Sequence, residues 1–150
     1  MSTDRIEKSI LLRVSRSRVW HAVSTAQEFA AWFGVGEIDG EFVPGASLSA
    51  RITHPGYEHL TWNVTIDQVK PESFLSFRWH PYAVDPTVDY SDEPTTLVEF
   101  LLEETVEGTR LTVVESGFDS IPLARRAEAF GMNERGWSEQ IKNIARYVTS

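Results

Sequence analysis

The amino-acid sequence predicts an α+β domain in which a curved antiparallel sheet packs against one long C-terminal helix. One strand-like segment is followed at once by two short helical segments. Residues 47–116 then form a series of short apolar alternations separated by turns, and the last thirty residues change to helical periodicity. Consecutive strands joined by short turns pair antiparallel, so the layers are a sheet and its covering helices.

The N-terminal part predicts one strand and two short helices. Residues 6–14 have the alternation of a strand. Ser15 or Ser17 is suited to cap the first helix, and Thr25 the second, because their hydroxyls accept from the free N–H groups of a first turn. Gly34 ends the second helix.

The middle of the chain predicts the rest of the sheet. Residues 34–40 form a glycine-punctuated loop or a short edge strand, and residues 81–94 form an unusually long polar loop. Five strands are predicted, over residues 47–54, 59–69, 74–80, 95–104 and 109–116.

The C-terminal segment predicts a long amphipathic helix that begins near Ser120 and Pro122, since proline is tolerated in a first turn. Apolar residues recur at helical spacing, at Trp137, Ile141, Ile144, Ala145 and Val148. Gly131 and Gly136 each cost about 1 kcal/mol relative to alanine, so we expect an interruption near residues 131–133.

Composition limits the organisation and the partners. A chain of 150 residues with 41% hydrophobic and 24% charged residues predicts one domain over residues 1–150. Its 14 Lys and Arg against 22 Asp and Glu give a net charge of −8, which disfavours binding to nucleic acid. The sequence has no cysteine, which excludes disulfides, thiolate nucleophiles and cysteine-ligated zinc.

Targeting signals are not evident. The first ten residues lack the apolar run of a signal peptide, and the sequence contains no uninterrupted apolar stretch of about 18 residues. We therefore expect a cytoplasmic protein that does not associate with a membrane.

Several short motifs occur together in an order and spacing that cover nearly the whole chain. The motifs are Val19-Trp20-His21-Ala22-Val23, Phe29-Ala30-Ala31-Trp32-Phe33, Val43-Pro44-Gly45, Val69-Lys70-Pro71, Phe74-Leu75-Ser76-Phe77-Arg78-Trp79, Thr96-Leu97-Val98-Glu99-Phe100, Gly108-Thr109-Arg110-Leu111-Thr112 and Gly136-Trp137. In these motifs the sequence resembles the START-like (SRPBCC) superfamily with its helix-grip fold. Within that superfamily it is similar to the domain related to the activator of the Hsp90 ATPase.

The resemblance implies a cavity between the sheet and the long helix that holds a hydrophobic ligand. Large aromatic side chains on the inferred inward faces either fill such a space or form its walls, and the sequence leaves both alternatives open. The candidate cavity residues of this kind are Trp62, Phe77, Trp79, Phe100, Phe130 and Trp137.

Two polar residues complete the candidate site. Glu115 follows Leu111 and Val113 at period two, so it is suited to point inward as a polar anchor for a ligand. His80 ends a predicted strand near the rim of the cavity. No metal is expected, because His54 and His59 have no evident third ligand, and no cofactor motif is present.

Three functions are compatible with these features. The first is a module that binds a hydrophobic or aromatic small molecule. The second is an enzyme, since the resemblance extends to polyketide cyclases and aromatases, with His80 and Glu115 as the residues to test. The third, activation of an Hsp90-type chaperone, is not expected, because 150 residues leave no space for a further chaperone-binding domain. A homodimer formed through aromatic strand ends and the first helices is also considered.

Overall fold

A computed structural model describes residues 4–85 and 87–149. Residues 1–3 of the N-terminal segment, Pro86 of the predicted long loop and Ser150 lie outside the described residues. The described elements are β1 (Arg5–Leu12), α1 (Arg16–Ser24), α2 (Ala26–Phe33), β2 (Ser47–Arg51), β3 (Thr61–Lys70), β4 (Phe74–Trp79), β5 (Thr96–Thr105), β6 (Gly108–Ser116), a short 3₁₀ turn (Phe118–Ser120) and α3 (Leu123–Thr149).

The strands form one curved antiparallel sheet, as predicted, and their order in it is β1-β6-β5-β4-β3-β2. β6 lies between the N-terminal strand and β5, so Glu115 faces Ile6 on one side and Val98 on the other. The register shifts between Ile66 and Gln68 of β3, and a bulge of this kind bends a strand. Glu115 thus lies in an interior strand of the sheet, and its side chain is buried on the concave face.

Alternation along β3 shows how the sequence selects that concave face. Trp62, Val64 and Ile66 are buried, whereas Asn63 and Thr65 between them are exposed. Because side chains of a strand alternate between its two faces, one apolar set supplies the interior and the polar set meets water. This part of the pattern is confirmed.

The side-chain cap of α1 is confirmed, whereas that of α2 is wrong: Thr25 occupies the N-cap position of α2, but its hydroxyl makes no capping hydrogen bond. Of the two candidate caps of α1, Ser15 is used: its Oγ accepts from the backbone N–H of Arg18 at 3.1 Å. Gly34 ends α2 in the left-handed conformation at φ 93°. The indole of Trp32 donates to the carbonyl of Ala22 at 2.7 Å, which fixes the two helices to each other.

Helix α3 runs without a break through 27 residues, so the expected interruption near residues 131–133 is wrong. Its buried residues, Ala129, Trp137, Ile144 and Val148, keep one stripe against the sheet. Burying a large apolar side chain contributes roughly 1.5–3 kcal/mol, so this stripe outweighs the two glycines. None of the described helices has both the length and the apolar character needed to cross a bilayer.

One half of the interior is packed solid around Phe29. The ring of Phe29 lies 4.7 Å from that of Phe33 and 5.5 Å from that of Trp62, between centroids. Phe77 and Phe100, which have no exposed surface, extend this cluster across the sheet. The open space of the molecule therefore lies in the other half, towards the ends of β3 and β4.

Replacing a glycine by alanine is expected to change the free energy of unfolding in opposite directions at Gly131 of α3 and at Gly108 of the β5–β6 turn. Gly131→Ala should raise the free energy of unfolding by roughly 0.5–1 kcal/mol, because its new methyl group meets only Arg135 Nη1, at 3.6 Å. Gly108→Ala should lower it by about 2 kcal/mol or more, since φ is 150° and the methyl group would lie 2.2 Å from the carbonyl oxygen of Leu12. Urea unfolding measures both, and a less stable Gly131→Ala protein would contradict the helix geometry.

Candidate functional site

A buried carboxyl group lies where α3 crosses the sheet. Glu115 has no exposed surface, and among the described residues it is the only ionisable side chain that is buried. It continues the inward face of Leu111 and Val113 along β6, as the period-two spacing predicted. Burying such a group is costly unless its oxygens accept hydrogen bonds.

Four side chains donate to this carboxyl. Oε2 accepts from the indole N–H of Trp79 at 2.7 Å and from the hydroxyl of Thr96 at 2.5 Å. Oε1 accepts from the indole N–H of Trp137 at 2.8 Å. The amide nitrogen of Asn133 lies 3.0 Å from Oε1 and 3.1 Å from Oε2. Glu115 thereby joins β4, β5 and β6 to the middle of α3.

Two opposing effects act on the ionisation of Glu115. Burial is the larger and raises the pKa of its carboxyl above the ordinary value of 4.5. The hydrogen bonds from Thr96, Trp79, Trp137 and Asn133 oppose this rise, because they stabilise the anion. All of these partners are uncharged, so hydrogen bonding alone compensates the buried group.

A cavity of about 840 Å³ opens beside this cluster, between the ends of β3 and β4 and the middle of α3. A second space of about 290 Å³ shares Trp62, Trp79 and Asn133 with it. A narrow recess of about 100 Å³ continues from the main cavity, between Phe33 and Trp79 on one side and Gly136 and Trp137 on the other. The three spaces share walls and form one hollow.

Four of the sequence-predicted site residues line this hollow. Trp62 and Trp79 belong to the walls of the two larger spaces, and Trp137 belongs to the recess. His80 lies at the rim, where its Nε2–H donates to the carbonyl oxygen of Glu93 at 3.0 Å.

The other four predicted residues lie elsewhere. Phe77 and Phe100 are in the packed half of the interior, without exposed surface. Phe130 packs edge-on against Phe118, with ring centroids 5.1 Å apart. Glu115 lies beneath the wall and contacts the hollow only through the side chains that donate to it. Aromatic residues on an inward face thus divide into wall and core, according to how closely α2 and α3 approach them.

The long loop after β4 forms part of the rim and is fastened to α3. Arg125 donates to Glu93 at 2.9 Å through Nε and to the carbonyl of Pro81 at 2.7 Å. Its guanidinium group also lies over the ring of Tyr90, 4.8 Å from the centroid. Tyr82 of this loop lines both larger spaces, so the fastening holds a side of the hollow in place.

Sequence reasoning missed Asn133 and Gly136, which both line the hollow. The signal for Asn133 was its position four residues before Trp137, because residues at that spacing share a helix face. A Cβ at Gly136 would have nothing within 4 Å, so this glycine leaves part of the wall open.

Metal binding finds no support in the described ranges, residues 4–85 and 87–149. No three histidine or acidic side chains converge there as metal ligands. The ring of His54 lies against that of Tyr57 instead, with centroids 5.6 Å apart.

Comparison with known proteins places this geometry in a family. The family model described as "Activator of Hsp90 ATPase homolog 1-like protein" matches residues 13–149. A search of curated proteins gave no significant match.

Solved structures share the fold. The chain superimposes on DynU16, from the dynemicin biosynthetic locus, with a TM-score of 0.74 and 24% identity, over 98% of this chain and 48% of that one. It thus spans about half the length of DynU16. Protein MLL2253 from Mesorhizobium loti gives a TM-score of 0.75 at 19% identity, covering 97% of this chain and 96% of that chain. Protein BH1534 from Bacillus halodurans gives 0.71 at 24% identity, covering 96% of each chain.

Replacing the buried carboxyl by an amide is expected to destabilise the protein. In Glu115→Gln an NH₂ group takes the place of one acceptor oxygen and faces an indole N–H, so a buried donor loses its partner. The free energy of unfolding should fall by roughly 1–3 kcal/mol near pH 5. Glu103→Gln, an exposed change on β5, is the control and should stay within about 0.5 kcal/mol. Equal stability of the two variants would contradict the hydrogen-bonded cluster.

Stability should also depend on pH through Glu115. The folded protein holds the Glu115 proton more tightly than the unfolded chain, since burial raises the pKa of this carboxyl above 4.5. This contribution is present at low pH and is lost as pH rises through the raised pKa. The stability gap between wild type and Glu115→Gln should therefore narrow from about pH 5 to about pH 8. Urea unfolding across this range measures it, and a constant or widening gap would count against the raised pKa.

Proposed function

The chain belongs to the family of activator of Hsp90 ATPase homolog 1-like proteins, and we propose that it binds a hydrophobic, aromatic small molecule in the hollow between the sheet and α3. The observation that carries this proposal is the hollow itself. Its main space of about 840 Å³ falls in the range of roughly 300–1,000 Å³ that is typical of ligand pockets.

The walls offer rings for a flat ligand to pack against. The rings of Phe33 and Trp79 lie 6.1 Å apart between centroids, and those of Trp79 and Trp137 lie 5.9 Å apart. Trp62 lies 6.1 Å from Phe33 on the other side. Aromatic pairs favour offset or edge-on contacts, so a planar ring entering this group gains both burial and ring interactions.

The walls are also held in place before a ligand arrives. Trp79 and Trp137 are both fixed by the carboxyl of Glu115, at 2.7 and 2.8 Å. A wall that does not have to be ordered on binding keeps more of the interaction energy for affinity. Burial of about 200 Å² of apolar ligand surface, at about 25 cal/mol per Å², contributes about 5 kcal/mol, and ring contacts with the walls add to it.

Binding accounts for the hollow better than catalysis by the two residues named for it. His80 uses its Nε2–H on the carbonyl of Glu93. Glu115 is covered by Trp79, Trp137 and Asn133, and its oxygens already accept from all three. A general acid or base must reach the reacting proton, and the hydrogen bonds of these two residues leave neither group free to do so.

The homodimer suggested by the sequence stays a prediction.

A direct test uses the uncharged fluorescent probe N-phenyl-1-naphthylamine. Excitation of the tryptophans should transfer energy to the bound probe and give saturable binding of one probe per chain, with a Kd of roughly 1–100 µM. In Gly136→Leu the new side chain projects from a position with nothing within 4 Å of its Cβ, so it should occupy the hollow and weaken binding at least about tenfold.

The matched control is Gly131→Leu, the same change at the other glycine of α3, where the nearest atom to a Cβ is Arg135 Nη1 at 3.6 Å. It should bind the probe like wild type. Absence of saturable binding by the wild-type protein, or equal binding by both leucine variants, would overturn the proposed site.

A further inference from the structure

Asn133 presents one end of its amide to the protein and leaves the other end for a ligand. It is a half-buried residue of α3 that lines all three spaces of the hollow. Its Nδ2 lies 3.0 and 3.1 Å from the two carboxyl oxygens of Glu115. A role for this amide in recognition rests on the proposed function, because it concerns the chemistry of the bound ligand.

The orientation of this amide is fixed by the partners of Glu115. The indole groups of Trp79 and Trp137 only donate, so both carboxyl oxygens act as acceptors. When Glu115 carries a proton, the hydroxyl of Thr96, 2.5 Å from Oε2, is the group that accepts it. In either state the NH₂ of Asn133 faces the carboxyl, and its Oδ1 faces away from it.

This Oδ1 has no hydrogen-bond donor among the described residues, and it is not one of their buried unpaired atoms. Two other amides, Gln140 and Asn143, line the main cavity, and both differ from Asn133. Gln140 donates through Nε2 to the carbonyl of Phe33 at 2.8 Å and accepts at Oε1 from Asn143 at 3.0 Å. Asn143 accepts at Oδ1 from Arg146, so among the described amides of the main cavity Asn133 is the one with a spare acceptor.

A second polar atom in the wall also lacks a partner. Nε1 of Trp62 is buried and makes no hydrogen bond among the described residues, and Trp62 lines the two larger spaces together with Asn133. A buried donor without a partner costs about 1–3 kcal/mol. Because this nitrogen is buried, it does not open into the hollow. The free acceptor of Asn133 in an otherwise largely aromatic wall is what suits a ligand that is not purely hydrocarbon.

We propose that the ligand is an aromatic compound with a hydroxyl group or a comparable hydrogen-bond donor, and that Oδ1 of Asn133 accepts its hydrogen bond. Glu115 is then the positioning residue: it selects a donor on the ligand by turning the amide nitrogen of Asn133 away from the hollow. A ligand whose only polar group is an acceptor cannot donate to Oδ1, because two acceptors do not form a hydrogen bond, and it therefore binds without this contact.

Three matched probes test the proposal on the wild-type protein, by their quenching of tryptophan fluorescence or by calorimetry. Naphthalene has no polar group, 2-methoxynaphthalene has an acceptor, and 2-naphthol has a donor and an acceptor. Hydrophobic burial alone ranks the ether above the naphthol, because the ether has one more methyl group and no hydroxyl to desolvate. We expect the opposite order, with 2-naphthol bound about 3- to 10-fold more tightly than the ether.

Two variants assign the effect to its residue. In Asn133→Leu the preference for 2-naphthol over the ether should disappear. Gln140→Leu, which removes the amide already paired with Phe33 and Asn143, should keep the preference even where overall affinity changes. The ranking of probes by the wild-type protein stands by itself if Asn133→Leu does not fold.

The outcomes separate this inference from the proposed function. Equal binding of 2-naphthol and the ether, or tighter binding of the ether, would overturn the role of Asn133 and leave the hollow as a binding site. A naphthol preference that persists in folded Asn133→Leu would overturn it as well. Failure of all three probes and of N-phenyl-1-naphthylamine to bind the wild-type protein would overturn both.

Discussion

The carboxyl of Glu115 and its four donors are the constraint on which the rest of the site depends. A buried carboxyl is stable only while its oxygens are satisfied, and here the donors come from β4, β5 and α3. The group therefore sets the distance between helix and sheet at this point. Because Trp79 and Trp137 are tied to it, their rings stay at the edge of the hollow rather than collapsing into it.

The interior consequently divides into two parts with different physical character. Around Phe29, Phe77 and Phe100 the helices approach the sheet closely, and rings interlock without exposed surface. Near Gly136 the helix has no side chain, and a polar cluster replaces apolar contact. Dispersion and hydrophobic burial hold the first part together, whereas hydrogen bonds position the second, which leaves space that apolar side chains would otherwise fill.

The sequence predicts the faces of the sheet well and the depth of the cavity poorly. Strand periodicity places Trp62 and Glu115 inward, and a period of two leaves little choice for a residue inside a strand. Whether an inward ring is wall or core depends on how α2 and α3 lie above it, and no local pattern encodes that. Phe100 was therefore expected at the cavity and lies in the core. Gly131 predicted a break that long-range burial of the helix stripe overrides.

The same polar cluster connects stability to recognition. A carboxyl that only braced the fold would be satisfied by its indole and hydroxyl donors, but this one also holds the amide of Asn133, which has its other end at the hollow. Orienting an amide requires a partner of defined polarity, and both oxygens of Glu115 face the amide nitrogen of Asn133 as acceptors. The cost of burying the acid is thus offset within the fold by its donors, and the orientation of Asn133 follows from the same bonds. If the hollow binds a ligand as proposed, the ligand is selected by a hydrogen-bond donor as well as by shape.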